Sequence, residues 1–142
     1  MMVLWGSLAA QWLLSQVLPS PWWVPDVALA GVVVSVAASP KRWVVVGVAA
    51  GVAMLPWLTR ALVPLGAGYL VCAAAVRELS TTWDASDARL QLGVTAAASL
   101  LMTVGAMGLA RASMWPVAGP ALLHTALTAL CVIGLRRFRA RA

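Results

Sequence analysis

Six long apolar runs, separated by short polar or proline-containing segments, dominate the sequence. The runs cover residues 3–18, 22–38, 43–58, 62–76, 90–109 and 115–135. A helix needs roughly 20 mostly apolar residues to cross a bilayer. Flanking arginines and tryptophans accommodate the shorter runs. The pattern therefore predicts an all-α integral membrane protein with six transmembrane helices in a single domain, followed by a basic cytoplasmic tail at 136–142.

The breaks between the runs support these boundaries. Prolines interrupt the chain after the first and second runs, and the longest polar stretch, 77–89, separates the fourth run from the fifth. Ser86 or Asp87 is a suitable cap for the fifth helix. A five-segment arrangement stays open, in which the third and fourth runs form a broken hairpin that does not fully cross.

The basic residues predict the orientation. With the N-terminus in the cytoplasm, the inner side carries eight of them: Lys41, Arg42, Arg77, Arg89, Arg136, Arg137, Arg139 and Arg141. The outer side carries Arg60 and Arg111. This asymmetry follows the positive-inside rule and places both termini in the cytoplasm.

The tryptophans fit the same layout, because indole rings favour the membrane interface. The expected outer-interface residues are Trp22, Trp23, Trp57 and Trp115, and the expected inner ones are Trp5 and Trp43. Trp12 falls in mid-membrane and Trp83 in the inner loop.

The amino-acid composition argues against a water-soluble protein. Hydrophobic residues make up 63% of the 142 residues, only 10% are charged, and the mean hydropathy is +0.93. A soluble domain is usually about a quarter charged. The net charge of +6 does not indicate nucleic-acid binding, because the basic clusters flank apolar runs, where they contact lipid headgroups. Cys72 and Cys131 lie inside apolar runs and predict neither a disulfide nor a metal site.

Four polar residues inside or beside the runs are candidate buried sites. Asp26 and His124 are suited in principle to ion or proton binding. The favoured interpretations are an interfacial Asp26 that is partly hydrated or paired with Arg60 or Arg111, and a structural His124. Gln11 and Gln16 are expected to hold helices together or to face a partner protein. No second polar group is evident at the depth of Asp26.

Small residues predict close helix packing. Gly47 and Gly51 form a GxxxG pattern in the third run, and Thr95, Ser99 and Thr103 make a second small-residue stripe in the fifth. We expect internal packing rather than dimerisation, and we expect Gly51→Leu to disturb assembly more than Ala50→Leu.

The sequence contains no recognisable catalytic constellation. There is one histidine, and there is no G-x-S-x-G, HExxH or phosphate-binding loop. Glu78, Asp84 and Asp87 in the inner stretch are expected to be solvated. We therefore predict a protein that is not an enzyme and that needs no cofactor.

Several short motifs follow one another along the chain: Val24-Pro25-Asp26-Val27-Ala28-Leu29, then Ser39-Pro40-Lys41-Arg42, then the Gly47 and Gly51 pair, then Leu65-Gly66 and the helix of Tyr69. The order of these motifs resembles the MreD family of rod-shape-determining proteins. The resemblance covers roughly residues 21–110. The chain departs from the family pattern at 54–57, where many members carry an acidic residue.

This resemblance implies a non-catalytic inner-membrane subunit of the bacterial cell-wall elongation complex. The implied partner is MreC, with RodA, a class B penicillin-binding protein and MreB in the wider complex. The family is similar in fold to substrate-binding subunits of energy-coupling-factor transporters. That similarity gives the alternative function, a small-molecule transport subunit with a pocket near Asp26, His124, Gln11 and Trp12.

Overall fold

The computed structural model describes residues 1–18, 24–58, 63–84, 86–109, 116 and 118–141. The described residues form six α-helices and no strand. The helices are α1 (Met2–Val17), α2 (Val27–Ala38), α3 (Trp43–Leu58), α4 (Val63–Thr82), α5 (Ala88–Leu109) and α6 (Ala118–Arg141), with a 3-10 turn at Pro40–Arg42 before α3. The prediction of an all-helical chain with six helical segments is thus confirmed.

The largest differences from the predicted boundaries are at the start of the second helix, the end of the fourth and the end of the sixth. The second helix begins at Val27 rather than near residue 22, because Asp26 caps it. α4 continues to Thr82, through residues expected in the inner loop. The hydroxyls of Ser80 and Thr81 donate to the carbonyls of Arg77 and Glu78 one turn earlier, so these polar side chains form hydrogen bonds within the helix.

The basic tail is also helical. α6 runs to Arg141, and Arg139 and Arg141 lie in its last turn. Positive side chains are favourable there, because the unsatisfied carbonyls at a helix C-terminus carry partial negative charge. The predicted tail at 136–142 is therefore a continuation of the sixth helix as far as Arg141.

The shortest helix lies at the centre of the bundle. α2 has 12 residues, of which Val27 through Val36 are all buried, and it contacts each of the other five helices. A valine-rich helix of this length is not stable alone in water. Its stability comes from its surroundings, including Leu4 and Leu8 of α1 and Tyr69 of α4 in the same apolar cluster.

Glycine allows α1 to approach α2 closely. A Cβ atom on Gly31 would overlap the Ser7 hydroxyl, which is buried and donates to the Leu4 carbonyl. Only a residue without a side chain fits α2 at that level.

The two glycines of the GxxxG pattern pack against α4 of the same chain. A Cβ atom on Gly51 would lie 2.7 Å from the carbonyl oxygen of Gly66, and one on Gly47 would lie 2.9 Å from the Cα of Leu70. The backbones of α3 and α4 therefore touch, as small-residue patterns allow in membrane helices. Ala50 is fully buried as well, so it offers no neutral comparison for Gly51.

One end of the bundle collects most of the charge. The first residues of α1, the end of α2 and Arg139 of α6 line one cavity there. At the same end Arg77 stacks over the Trp43 ring at 5.7 Å. The positive charge of Arg136 also acts on Asp84. Arg60, Arg111, Trp22, Trp23 and Trp115, and the side chain of Trp57, lie outside the described residues.

The outward surface of the helices is apolar. Within the described ranges, two helices are long and apolar enough to cross a membrane, at Ala88–Gly108 and Ala118–Arg141. Large apolar side chains are exposed in the middle of all five helices around α2, among them Trp12, Val52, Val71, Leu101 and Leu130.

The contact of α3 with α4 gives the first prediction. We expect Gly51→Leu to lower the free energy of unfolding in detergent by about 1–3 kcal/mol, because its side chain has to displace the backbone at Gly66. The matched control is Val52→Leu, at a position that is 59% exposed on the same helix. Equal unfolding midpoints for the two variants would contradict close packing at Gly51.

Candidate functional site

The buried start of α2 is the place where polar side chains converge. The first N–H groups of any helix lack partners within the helix. Here Asp26 is the N-cap, and its Oδ1 accepts a 2.8 Å hydrogen bond from the Leu29 amide. The carboxylate also lies at the positive end of the helix dipole, where a negative charge is favourable.

Side chains from two other helices satisfy the neighbouring amides. Oε1 of Gln11 on α1 accepts from the amide of Val27 at 2.7 Å and from that of Ala28 at 3.4 Å. Oγ1 of Thr128 on α6 accepts from the amide of Asp26 at 2.9 Å. Every backbone N–H from residue 26 to residue 29 therefore has a side-chain acceptor.

A fourth helix joins the cluster through Tyr69. Its hydroxyl on α4 donates a 2.9 Å hydrogen bond to Oδ2 of Asp26. Tyr69 is 5% exposed, so this hydroxyl would otherwise be buried without an acceptor. Asp26 thus links α2 to α4, while Gln11 and Thr128 link it to α1 and α6.

His124 lies close enough to Asp26 to interact with it electrostatically. Its Nδ1 is buried and has no hydrogen-bond partner among the described residues, and the same holds for the hydroxyl of Thr125. His124 therefore makes no hydrogen bond with the described residues of the cluster. Its position one turn before Thr128 places both side chains on the face of α6 that is directed towards α2.

The arrangement is suited to joining helices. An anion-binding position exists at the start of α2, but the carboxylate of Asp26 already fills it. No group of three or more potential metal ligands occurs within the described ranges. Both cysteines are free thiols. What the arrangement supports chemically is hydrogen bonding between buried polar groups.

The other predicted residues lie elsewhere. Gln16 is exposed on α1 and makes no contact with the cluster, whereas Gly47 and Gly51 pack on α4. Lys41, Arg42, Arg136, Arg137, Arg139 and Arg141 belong to the charged end of the bundle. The expected pairing of Asp26 with Arg60 or Arg111 involves residues outside the described part of the chain.

The roles of Tyr69 and Thr128 were not predicted. Tyr69 is the one tyrosine of the sequence and stands inside an apolar run, which was an available signal of a buried hydroxyl. Thr128 follows His124 by one helical turn in the sequence, but its partner on another helix is not evident from the chain.

The acidic residues of the inner stretch serve local structure. Asp87 accepts from the Arg89 amide at 2.8 Å, so it caps α5. The Ser86 hydroxyl and amide donate to the Asp84 carboxylate and hold the pKa of Asp84 below its usual value. Glu78 lies exposed on the last turns of α4.

Comparison with protein families, with curated proteins and with solved structures found no match to this chain.

The cluster predicts that Asp26 acts as a hydrogen-bond acceptor rather than as a charge. We expect Asp26→Leu to lower the free energy of unfolding in detergent by about 2–4 kcal/mol, because it removes the cap and leaves the Tyr69 hydroxyl without an acceptor. Asn is an equally good cap, so Asp26→Asn is expected to stay within about 1 kcal/mol of the unmodified protein. If Asn destabilises the fold as much as Leu, the carboxylate charge is essential and the capping interpretation is wrong.

Proposed function

We propose that this chain is a multi-pass membrane protein in which five helices surround the central α2. The exposed apolar side chains support this proposal. A soluble monomer rarely exposes contiguous apolar patches larger than a few hundred Å², whereas here the middles of all five outer helices present Trp, Val or Leu to the surroundings. In a lipid bilayer these apolar side chains do not need to be buried by other parts of the protein.

The short α2 fits the same proposal. Twelve residues span about 18 Å, less than the roughly 30 Å of a bilayer core. Its first turn therefore lies at membrane depth, where an unsatisfied amide costs several kcal/mol. The capping side chains make such a start tolerable.

The basic end of the bundle is proposed to face the cytoplasm. Eight basic residues belong to elements at that end: Lys41, Arg42, Arg77, Arg89, Arg136, Arg137, Arg139 and Arg141. An excess of Lys and Arg in short segments beside apolar helices marks the cytoplasmic side. Both termini then lie inside.

Within that membrane we propose a non-catalytic scaffold of the cell-wall elongation complex, as the resemblance to the MreD family implies. MreC is the proposed direct partner, with RodA, a class B penicillin-binding protein and MreB in the wider assembly. The role of the buried polar residues supports this proposal. Asp26, Gln11, Tyr69 and Thr128 hydrogen-bond across helices, and so support the bundle itself.

A lateral groove between α4 and α5 is the proposed partner surface. It has a volume of about 490 Å³, and its walls include the small residues Ala67, Gly68, Ala75, Ala97, Ala98 and Gly105. Val71 and Leu101 line it and are 68% and 71% exposed, so it opens at the side of the bundle. Small residues on a lipid-facing groove let a second transmembrane helix approach closely.

The alternative function, a small-molecule transport subunit, receives less support. Transporters direct the N-termini of short helices at anionic groups of their substrates. In this chain Asp26 occupies that position, and Gln11 is engaged by the amides of α2.

Co-purification tests the scaffold proposal. We expect Ala75→Leu to reduce the MreC recovered with the tagged chain in mild detergent about tenfold, equivalent to about 1.4 kcal/mol, because the new side chain fills the groove. Ala126→Leu is the matched control, since Ala126 is exposed on α6 and outside the groove. Absence of MreC from the unmodified sample, or equal loss in both variants, would contradict the proposal.

Reporter fusions test the orientation. We expect a reporter that is active only in the cytoplasm to work when it is fused after Arg141. A reporter active only outside the cytoplasm is expected to stay silent at the same position. The opposite pattern would contradict the proposed topology.

A further inference from the structure

A second cavity lies at the basic end of the bundle, away from the capped start of α2. It has a volume of about 280 Å³ and lies between the first residues of α1, the end of α2 and the last turns of α6. We call it the basic cavity. Its polar lining consists of Ser35, Ser39, Arg42 and Arg139. Apolar side chains, including Val46 and Phe138, form the rest of the wall.

The two arginines of the basic cavity have no counter-charge in the described part of the chain. Neither makes an ion pair with a described residue. The end of α2 contributes about half a negative charge through its free carbonyls. Two full positive charges outweigh it, so the cavity favours an anion.

Ser35 provides an independent indication of a ligand. It is 9% exposed, lines the basic cavity, and its Oγ has no hydrogen-bond partner among the described residues. The buried hydroxyl of Ser7, by contrast, donates to a carbonyl of its own helix. Ser99 and Thr125 also lack partners, but neither lines this cavity. A buried hydroxyl without a partner is unfavourable, so an acceptor in the cavity is favourable.

We propose that the basic cavity binds a phosphate group, with Arg42 and Arg139 contacting its oxygens and Ser35 donating a hydrogen bond. Arginine suits this role because its planar guanidinium matches phosphate oxygens two at a time. Basic pockets between membrane helices on the cytoplasmic side bind lipid headgroups. The apolar wall at Val46 and Phe138 is suited to the first carbons of an acyl chain. The inference rests on the proposed membrane insertion and cytoplasmic orientation.

The test uses the full chain in a neutral detergent, with phosphatidylglycerol or inorganic phosphate as the probe. Thermophoresis at constant ionic strength gives an apparent Kd for each. We expect Arg42→Gln combined with Arg139→Gln to weaken phosphatidylglycerol binding about tenfold or more. The control is Arg137→Gln combined with Arg141→Gln. It removes the same charge from the same end but not from the cavity lining, so binding is expected to change less than about threefold.

Ser35→Ala keeps the test meaningful if the arginine variant fails to fold. It removes one oxygen that has no partner in the described chain, and it is expected to weaken binding about threefold without lowering the melting temperature. Binding that is unchanged by Ser35→Ala, or lost equally in the cavity and control variants, would overturn the proposal. Inorganic phosphate showing the same dependence on the variants would identify free phosphate as the source. Binding of phosphatidylglycerol alone would identify lipid.

The outcomes separate this inference from the scaffold function. Recovery of the unmodified chain in the soluble fraction would overturn membrane insertion, and this inference with it. Failure to recover MreC, with phosphatidylglycerol binding that still depends on Arg42 and Arg139, would overturn only the scaffold proposal.

Discussion

The hydrogen bonds at the start of α2 connect the central helix to the rest of the structure. A helix that begins inside an apolar bundle presents amides that water cannot reach and that have no acceptor within the helix. Gln11 and Thr128 reach these amides from α1 and α6, and Asp26 closes the first turn itself. Because Tyr69 then binds the second carboxylate oxygen, four helices meet at one polar point. The same bonds explain why α2 can be short, apolar and central.

Packing around that point depends on small residues. Gly31 lets α1 lie against α2, and Gly51 lets α3 lie against the backbone of α4. In lipid, helices gain little from burying apolar surface against each other, so close contact and a few polar bonds have to hold them together. The proposed membrane protein therefore uses its glycines and its polar cluster for cohesion. In that proposal, the apolar exterior contacts lipid and the α4–α5 groove receives a partner helix.

The sequence predicted the six helices well because each apolar run is long and proline or charge separates the runs. It failed where helices end within polar sequence, since Arg77 to Thr82 continue α4 as readily as they would form a loop. The candidate residues Asp26 and Gln11 were visible as polar groups among apolar neighbours. Their shared role was not, because Gln11, Tyr69 and Thr128 are brought to α2 only by the packing of separate helices.

Hydrogen exchange of the α2 amides in lipid nanodiscs, resolved by residue, is the most direct test of this account. The amides of Val27, Ala28 and Leu29 are predicted to exchange as slowly as those in the middle of α2, because side chains within the bundle hold all three. The Gln11→Ala variant is predicted to accelerate exchange at Ala28 more than at Leu29, and also more than at Val27, whose amide donates to the Pro25 carbonyl at 2.9 Å as well. Exchange at these three positions as fast as at an exposed helix end would show that α2 begins in water and would contradict the account.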